Sequence, residues 1–349
     1  MKFSYAMLPD YPVAESLASI KLADELGFHA VYAADEPWHK DLWLLFAAAA
    51  ANTSQIRLGP SVSAVTLREP SLIAQAAATL DELTGGRAEV VLGSGNFGVL
   101  AQYKIDWAKT KPLTRVKEAV AVVRTLLDEG AITRDGEFYS YDGLFTFARP
   151  VQEHLPVKIG AMRGPKSFEA AGELSDGVHH ALSYSRGAYE YAVEHFRAGA
   201  ERARQGLAVA RHRRLGGVRG RPRLHRGQGG GPQHGRPVRL GDAAEQLQRN
   251  GVDPADMAPI IDAIGGGDLA KAIELTTPEI TEKLSLAGTP DEVRAKIESD
   301  IAPTGVNHMI CAITDPGLVK SFTGRDLTGV PDVDGQLRLI HEHLMPAFK

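Results

Sequence analysis

Cysteine is almost absent from this chain, which has one, Cys311, among 349 residues. A single cysteine excludes an internal disulfide and a zinc site built from several thiolates. The chain also has no run of eighteen apolar residues, so no membrane-spanning helix is expected. Its first residues, "MKFSYAMLPDYP", contain no charged segment followed by an apolar one, so no secretory signal is expected. These absences predict a cytoplasmic protein.

Acidic residues are missing from one long segment. No Asp or Glu stands between Arg202 and Gly241, and residues 211–239 hold nine Arg and eight Gly. Removing these nine Arg from the 39 basic residues leaves 30, against 43 acidic residues, so the rest of the chain is poorly suited to binding nucleic acid. We therefore interpret 205–241 as an anomalous Arg/Gly-rich segment. It is either a compensated frameshift in a GC-rich gene or a disordered basic loop, and an RNA-binding arm is the remaining alternative.

Strand-like apolar runs alternate with amphipathic helical stretches along the rest of the chain. The runs are residues 2–8, 30–34, 56–65, 88–95, 157–162, 177–183 and 306–313. Such βα units predict a parallel sheet, and the length and strand number favour a (β/α)8 barrel spanning 1–349 over an open doubly wound sheet. The seventh of its eight strands would fall in the Arg/Gly-rich segment and be disrupted. Residues 242–285 are helical with glycine breaks and predict a helical insertion.

Polar and glycine-rich motifs follow several predicted strands, where a barrel carries its active site. They are "DEPWHKD" (35–41), "GSGNF" (93–97) and "GAMRGPKS" (160–167). The two glycine turns would let bare backbone approach a ligand, and Arg163 and Lys166 beside a helix start would suit a phosphate. No second ligand cluster accompanies the acids and His39, so no metal is predicted. A nucleotide-binding Walker loop, a serine-hydrolase elbow and a dinucleotide-binding fingerprint are all missing.

The stretch "LREPSLIAQAAATLDELTGGRAEVVLGSGNF" (67–97) resembles the bacterial-luciferase-like superfamily of flavin- and deazaflavin-dependent oxidoreductases. "LGFHAVYAADE" before it, "PVKIGAMRGPKSFEAAGELSDGV" after it and the late "AGTPDEVRAKIE" fit the same superfamily in order. The resemblance covers residues 1–204 and 242–345. Within the superfamily the chain is most similar to the branch of methylenetetrahydromethanopterin reductase, which uses the deazaflavin coenzyme F420.

The resemblance implies a (β/α)8 barrel with the cofactor ring at the carboxyl-terminal face of the strands. It also implies a bulge in the third strand, often with a non-prolyl cis peptide behind the ring, which maps to Ser61 and Val62. The implied cofactor contacts are Asp35, Gly93, Ser94, Gly95 and Asn96, with Gly160, Ala161, Arg163 and Gly164 near the cofactor's phosphate.

Two positions depart from the family pattern. Reductase members carry an acid at the end of the first strand, where this chain has Ala6, and many deazaflavin members have His where this chain has Glu36. The resemblance therefore leaves the substrate open between a pterin-like compound and an unsaturated or carbonyl compound, and the acid/base role would fall to Glu36 or His39, next to Asp35. The expected chemistry is hydride transfer between F420 and a small organic substrate. The alternative is an FMN-dependent monooxygenase. A homodimer that binds neither nucleic acid nor membrane is expected.

Overall fold

The computed structural model describes residues 1–8, 10–180, 184–215, 241–265, 268–286, 288–313, 315–324, 326 and 328–349. The predicted seventh strand and most of the Arg/Gly-rich segment, 216–240, lie outside the described residues. The backbone of 205–215 continues a long helix, and the interpretation of the whole segment as a frameshift or a disordered loop stays a prediction.

Nine strands form two sheets in the described part of the chain. They are β1 (Lys2–Met7), β2 (Ala30–Asp35), β3 (Arg57–Ala64), β4 (Val90–Gly93), β5 (Ala131–Arg134), β6 (Tyr141–Phe145), β7 (Val157–Ala161), β8 (Val178–His180) and β9 (His308–Ala312). Seven of them build one parallel sheet in the order β8-β7-β4-β3-β2-β1-β9. These are the seven runs that the sequence predicts as strands. The other two, β5 and β6, form an antiparallel hairpin that the sequence analysis missed.

Fourteen helices are described along the chain. They are α1 (Val13–Glu25), α2 (Leu42–Ala50), α3 (Pro70–Thr84), α4 (Phe97–Gln102), α5 (Pro112–Glu129), α6 (Pro165–Leu174), α7 (Arg186–Leu215), α8 (Gly241–Arg249), α9 (Pro254–Gly265), α10 (Leu269–Leu275), α11 (Pro278–Leu284), α12 (Pro290–Lys296), α13 (Pro316–Thr323) and α14 (Val333–Leu339). Four of them, α8 to α11, occupy the predicted helical insertion. Within the described ranges, no helix combines the length and apolar character that crossing a bilayer requires.

Side chains alternate between the two faces of the sheet, because successive residues of a strand point in opposite directions. In β1, Phe3 and Tyr5 pack into the large apolar core between sheet and helices. Ser4, between them, faces the concave side, where its hydroxyl oxygen lies 2.6 Å from Nε2 of His308. The apolar core therefore lies outside the sheet, and the concave interior is partly polar.

The parallel sheet curls until its two edge strands approach each other. The ring centres of His179 on β8 and His308 on β9 lie 6.3 Å apart. Across the same gap, the hydroxyl of Tyr184 donates to the carbonyl of Ile310 at 2.6 Å. No strand lies between β8 and β9 in the part of the chain that the structure describes. The predicted α/β class and parallel sheet are confirmed.

Candidate active site

The motifs singled out in the sequence lie together at one edge of the sheet. Asp35 of β2 pairs with Ser63 of β3, and Ala64 of β3 pairs with Gly93 of β4. The end of β7 continues the same edge, because β7 is paired in parallel with β4. Parallel strands end at the same edge, so residues far apart in sequence form one polar surface there.

Asp35 is nearly buried and its carboxylate is well satisfied. Its Oδ2 accepts hydrogen bonds from the indole of Trp43 at 3.0 Å and from the hydroxyl of Ser63 at 2.6 Å. The guanidinium of Arg68 completes the set, with Nε at 2.9 Å from the same oxygen. Charge-assisted hydrogen bonds of this kind hold geometry firmly. The carboxylate thereby ties the end of β2 to α2 and to the distorted part of β3.

The third strand is distorted where the resemblance implies. The peptide bond between Ser61 and Val62 is cis, and the register with β4 shifts between Ser61 and Ser63. The side chain of Val62 occupies space beside two glycines. A Cβ at Gly93 would stand 2.6 Å from Cγ2 of Val62, and one at Gly160 would stand 2.5 Å from Cγ1. These glycines therefore make room for Val62, and the approach of a ligand to their bare backbone stays a prediction.

Glu36 follows β2 and is partly buried. Burial raises the pKa of its carboxyl and Asp35 adds to this, whereas His39 and a hydrogen bond from Asn96 oppose the rise. Asn96 also caps α4, since its Oδ1 accepts the backbone N–H of Gly98 at 2.9 Å. A carboxyl whose pKa is raised in a cleft is suited to proton transfer.

His39 has a different environment from Glu36. Its Nδ1 lies 2.6 Å from Oδ1 of Asp10, which belongs to the loop after β1. The ammonium of Lys40 reaches the carbonyl of the same Asp10 at 3.1 Å. His39 therefore joins the loops that follow β1 and β2, whereas Glu36 interacts with Asn96.

Helix α6, which follows β7, begins without a side-chain cap. Gly164 is the N-cap residue of α6 and supplies no side-chain hydrogen bond, and the helix begins with Pro165. Ala161 ends β7, and Arg163 and Lys166 flank the turn. An uncapped helix start beside two basic side chains is a suitable environment for a phosphate.

The helical insertion contacts this turn through Gln246 of α8. Its Nε2 donates to the carbonyls of Met162 at 3.2 Å and Arg163 at 2.9 Å. The side chain is 1% exposed, and its Oε1 has no hydrogen-bond partner among the described residues. Gln246 was missed in the sequence, as were Trp43, Ser63 and Arg68 around Asp35. Of these, Arg68 alone carried a signal, because it belongs to the R-x-P motif before α3.

Large apolar side chains are exposed around the same edge. They follow four different strands and are Leu8, Trp38, Phe97, Tyr103 and Met162. Trp38 is fixed in direction, since its indole N–H donates to Oε1 of Gln102 at 2.7 Å. A rim of exposed apolar groups around a polar centre is typical of a site for a flat organic ligand.

The opposite edge of the strands carries a buried ionic cluster. Glu89 is 2% exposed and lies 3.1 Å from the ammonium of Lys158 and 3.3 Å from Nε of Arg57. Burial alone would raise the pKa of Glu89, but Lys158 and a hydrogen bond from Tyr32 lower it to about 2. Burial lowers the pKa of His179 to about 3. These groups are therefore fixed in their charge states at neutral pH.

The chain is similar to enzymes that share this architecture. The luciferase-like monooxygenase family matches residues 1–308. A 5,10-methylenetetrahydromethanopterin reductase of Methanolobus tindarius is 29% identical over 89% of this chain and 93% of its own. An F420-dependent glucose-6-phosphate dehydrogenase of Beutenbergia cavernae is 35% identical over 46% of this chain and 50% of its own.

The fold is also that of a solved reductase structure. The coenzyme F420-dependent tetrahydromethanopterin reductase of Methanopyrus kandleri superposes with a TM-score of 0.76, covering 100% of this chain and 99% of the other at 24% identity. The family match covers most of the described strands and every motif at the candidate site. The chain therefore belongs to the luciferase-like monooxygenase family.

Proposed function

We propose that this chain is an oxidoreductase that transfers a hydride between coenzyme F420 and a small organic substrate. The observation that carries the proposal is Glu36, a half-buried carboxyl with a raised pKa that interacts with Asn96 and directly follows Asp35, which pairs with Ser63 of the distorted strand β3. The relatives add support, because two of them with different substrates are named as F420-dependent. These two relatives share the cofactor but differ in substrate, so they do not identify the substrate of this chain.

The residues at the edge fit a deazaflavin cofactor. The exposed rings of Trp38 and Phe97 suit the flat face of the tricyclic ring. The uncapped start of α6, with Arg163 and Gly164, suits its phosphate. Ser61 and Val62 would lie behind the ring, and Asp35, Gly93, Ser94, Gly95 and Asn96 would border it, with Gly160 and Ala161 nearer the phosphate. When bound, F420 would supply the hydride chemistry itself.

Glu36 is the group that we assign to proton transfer. Its raised pKa keeps it protonated to a higher pH than an ordinary glutamate, so it can donate a proton to a substrate oxygen or nitrogen that becomes basic. His39, held by Asp10, would orient this loop, and Asp35, held by Trp43 and Arg68, would fix the end of β2. Ala6 offers no carboxylate at the end of β1, so the substrate that we propose stays open between a pterin-like compound and an unsaturated or carbonyl compound.

Cofactor titration tests the proposal directly. The purified chain is titrated with F420 and, separately, with FMN, and binding is followed by quenching of cofactor fluorescence. We expect saturable binding of F420 and much weaker binding of FMN. Tight binding of FMN together with oxygen consumption would instead favour the monooxygenase alternative, for which the matched family's description is the supporting observation.

The architecture that we propose is a (β/α)8 barrel, with its seventh strand between β8 and β9. The curled sheet supports this, because its strands follow chain order from β1 to β8 and its two edges approach each other. For the Arg/Gly-rich segment we retain the compensated frameshift. Reading the gene in the other frames over codons 205–241 would reveal an apolar strand, and its absence from both frames would refute the frameshift.

We further propose that the chain forms a homodimer in the cytoplasm and does not bind nucleic acid. Helix α2 is apolar over its whole length, "LWLLFAAAA", and yet leaves Leu44 73% exposed. A helix that is apolar all round is normally covered. Sedimentation analysis should show a dimer that dissociates in Leu44→Glu, and a gel shift at low salt should show no RNA complex.

A further inference from the structure

A hydrogen bond between Asp10 and His39 joins the loops that follow β1 and β2. Nδ1 of His39 lies 2.6 Å from Oδ1 of Asp10, and the two side chains are 13% and 28% exposed. The ammonium of Lys40 donates to the carbonyl of Asp10 at 3.1 Å and holds the same loop from the other side. Asp10 is therefore placed to control both the orientation of the imidazole and the position of its proton.

This hydrogen bond decides which ring nitrogen of His39 carries the proton. An ionised carboxylate only accepts hydrogen bonds, so Nδ1 of His39 must be the donor to Asp10. In the neutral imidazole, Nε2 then holds a free lone pair. Nε2 makes no hydrogen bond to any of the described residues and is not buried, so water can reach it. A nitrogen in this state can take up a proton and release it again.

His39 and Glu36 belong to one tight turn. The backbone N–H of His39 donates to the carbonyl of Glu36 at 3.2 Å. Burial raises the pKa of Glu36, and of the effects that lower it the charge of His39 is the largest, followed by the hydrogen bond from Asn96. Asn96 does not titrate, and Asp35 is held as a carboxylate by three donors. Of these three neighbours of Glu36, His39 is therefore the one that can pass a proton to it.

We propose that Asp10 is a positioning residue that makes His39 the proton shuttle of Glu36. This inference rests on the function proposed above, because it needs Glu36 to give a proton to the substrate. In each turnover Glu36 loses one proton to the substrate, Nε2–H of protonated His39 returns one proton to the Glu36 carboxylate, and water restores the proton on Nε2. Asp10 stays a carboxylate and Nδ1 of His39 keeps its proton throughout.

The protonated nitrogen of His39 can be measured in the full chain without cofactor or substrate. NMR of isotope-labelled histidine rings, with the signal assigned by its loss in His39→Gln, should show neutral His39 protonated on Nδ1. Asp10→Asn keeps the shape of the side chain but removes the charge, so the fraction protonated on Nδ1 should fall. Asp142→Asn, at an exposed aspartate of β6, is the matched control and should change nothing. A proton on Nε2 in the unaltered chain, or no change in Asp10→Asn, would overturn the proposal.

Kinetics with reduced F420 and cyclohexenone as the probe substrate test the shuttle itself. Asp10→Asn and His39→Ala should each lower kcat by at least about ten-fold, with little change in KM. Added imidazole should restore part of the lost kcat in His39→Ala but none in Glu36→Gln, because it replaces a shuttle and not the proton donor. An unchanged kcat in either variant, or a loss in His39→Ala that imidazole does not restore, would overturn the proposal. A chain that binds no F420 would refute the proposed function instead, and the NMR measurement would still decide whether Asp10 positions His39.

Discussion

The two ends of the parallel strands hold carboxyl groups in opposite electrostatic states. At the carboxyl-terminal end, Glu36 is partly buried and its pKa is raised, because Asn96 and His39 do not offset the burial. At the amino-terminal end, Glu89 is almost completely buried and yet its pKa is lowered to about 2, because two cations and Tyr32 stabilise the anion. Burial alone therefore does not decide the charge state of a carboxyl in this molecule.

We interpret the carboxyl-terminal end of the sheet as the end that carries the reactive group and the amino-terminal end as one that stabilises the fold. Glu36 interacts with Asn96 and His39, which do not cancel the effect of burial, so its carboxyl holds a proton to a higher pH than an ordinary glutamate does. Glu89 has strong partners on three sides, so protonating it would leave buried cations unpaired. Asp35 lies at the same end of the strands as Glu36, but three donors stabilise its carboxylate, much as strong partners stabilise that of Glu89. We therefore expect substitutions at the two ends to affect different measurements.

The largest effect is expected from Glu36→Gln. Removing the proton donor should lower kcat by roughly a hundred- to ten-thousand-fold, the usual contribution of general acid catalysis. Affinity for F420 and the unfolding transition should change little. Glu25→Gln on α1 is the matched control, because Glu25 is an exposed glutamate far from the edge. Steady-state kinetics of the two variants check this, and full turnover by Glu36→Gln would remove Glu36 from the mechanism.

Acid should destabilise the protein through its buried histidines. Burial lowers the pKa of His179 and His308 to about 3 and of His180 to about 4, from an ordinary 6.5. Below about pH 6.5 these histidines become protonated in the unfolded chain but stay neutral in the folded chain, so the free energy of unfolding falls as pH drops. Between about pH 6.5 and its pKa in the folded chain, each of these histidines lowers the free energy of unfolding by up to about 1.4 kcal/mol per pH unit.

The low pKa of Glu89 adds to this loss at lower pH. Its stabilising charge is fully present above about pH 4.5 and is lost as pH falls toward 2. Urea unfolding at several pH values between about 7 and 5 measures the histidine contribution, and His179→Asn should reduce the slope. A free energy of unfolding that stays constant over this range would contradict the prediction.

A methyl group at Gly160 should destabilise the bulge of β3. The added Cβ would lie 2.5 Å from Cγ1 of Val62, so Gly160→Ala should cost about 1–3 kcal/mol, as overpacking does. Val62→Ala removes the conflicting atoms, and the double variant should recover most of the loss. Urea unfolding of the two single variants and the double variant gives the coupling energy. Equal destabilisation with and without Val62→Ala would show that the glycine has another role.

The seven strands of the parallel sheet could be predicted from the sequence, because they depend on local patterns, and the position that we propose for the site follows from where those strands end. Alternation of apolar residues along a segment predicts a buried strand. In a barrel, residues that follow a strand lie at the edge where the active site is expected, whichever strands are adjacent. The hairpin of β5 and β6 was not predicted. Its strands are mostly exposed, so no buried face imposes an alternating pattern on residues such as Arg134 and Asp142.

The roles of individual side chains could not be predicted, because they depend on contacts between distant segments. A glycine that makes room for Val62 looks the same in sequence as one that admits a ligand. Gln246 is likewise one polar residue in a polar helix, and only the fold brings it to the carbonyl of Arg163. The resemblance identified the bulge at Ser61 because a motif, unlike a packing contact, is local to the chain.

The smallest predicted effect concerns that contact of Gln246. Gln246→Ala removes two hydrogen bonds that hold the turn before α6, so affinity for F420 should fall by about five- to ten-fold, or about 1–1.4 kcal/mol. Affinity for the deazaflavin riboside, which lacks the phosphate, should stay the same, because the ring contacts that we propose lie on β3 and β4. Gln248→Ala, an exposed neighbour on the same helix, is the control. An equal loss for both ligands would mean that α8 supports the whole edge and not the phosphate alone.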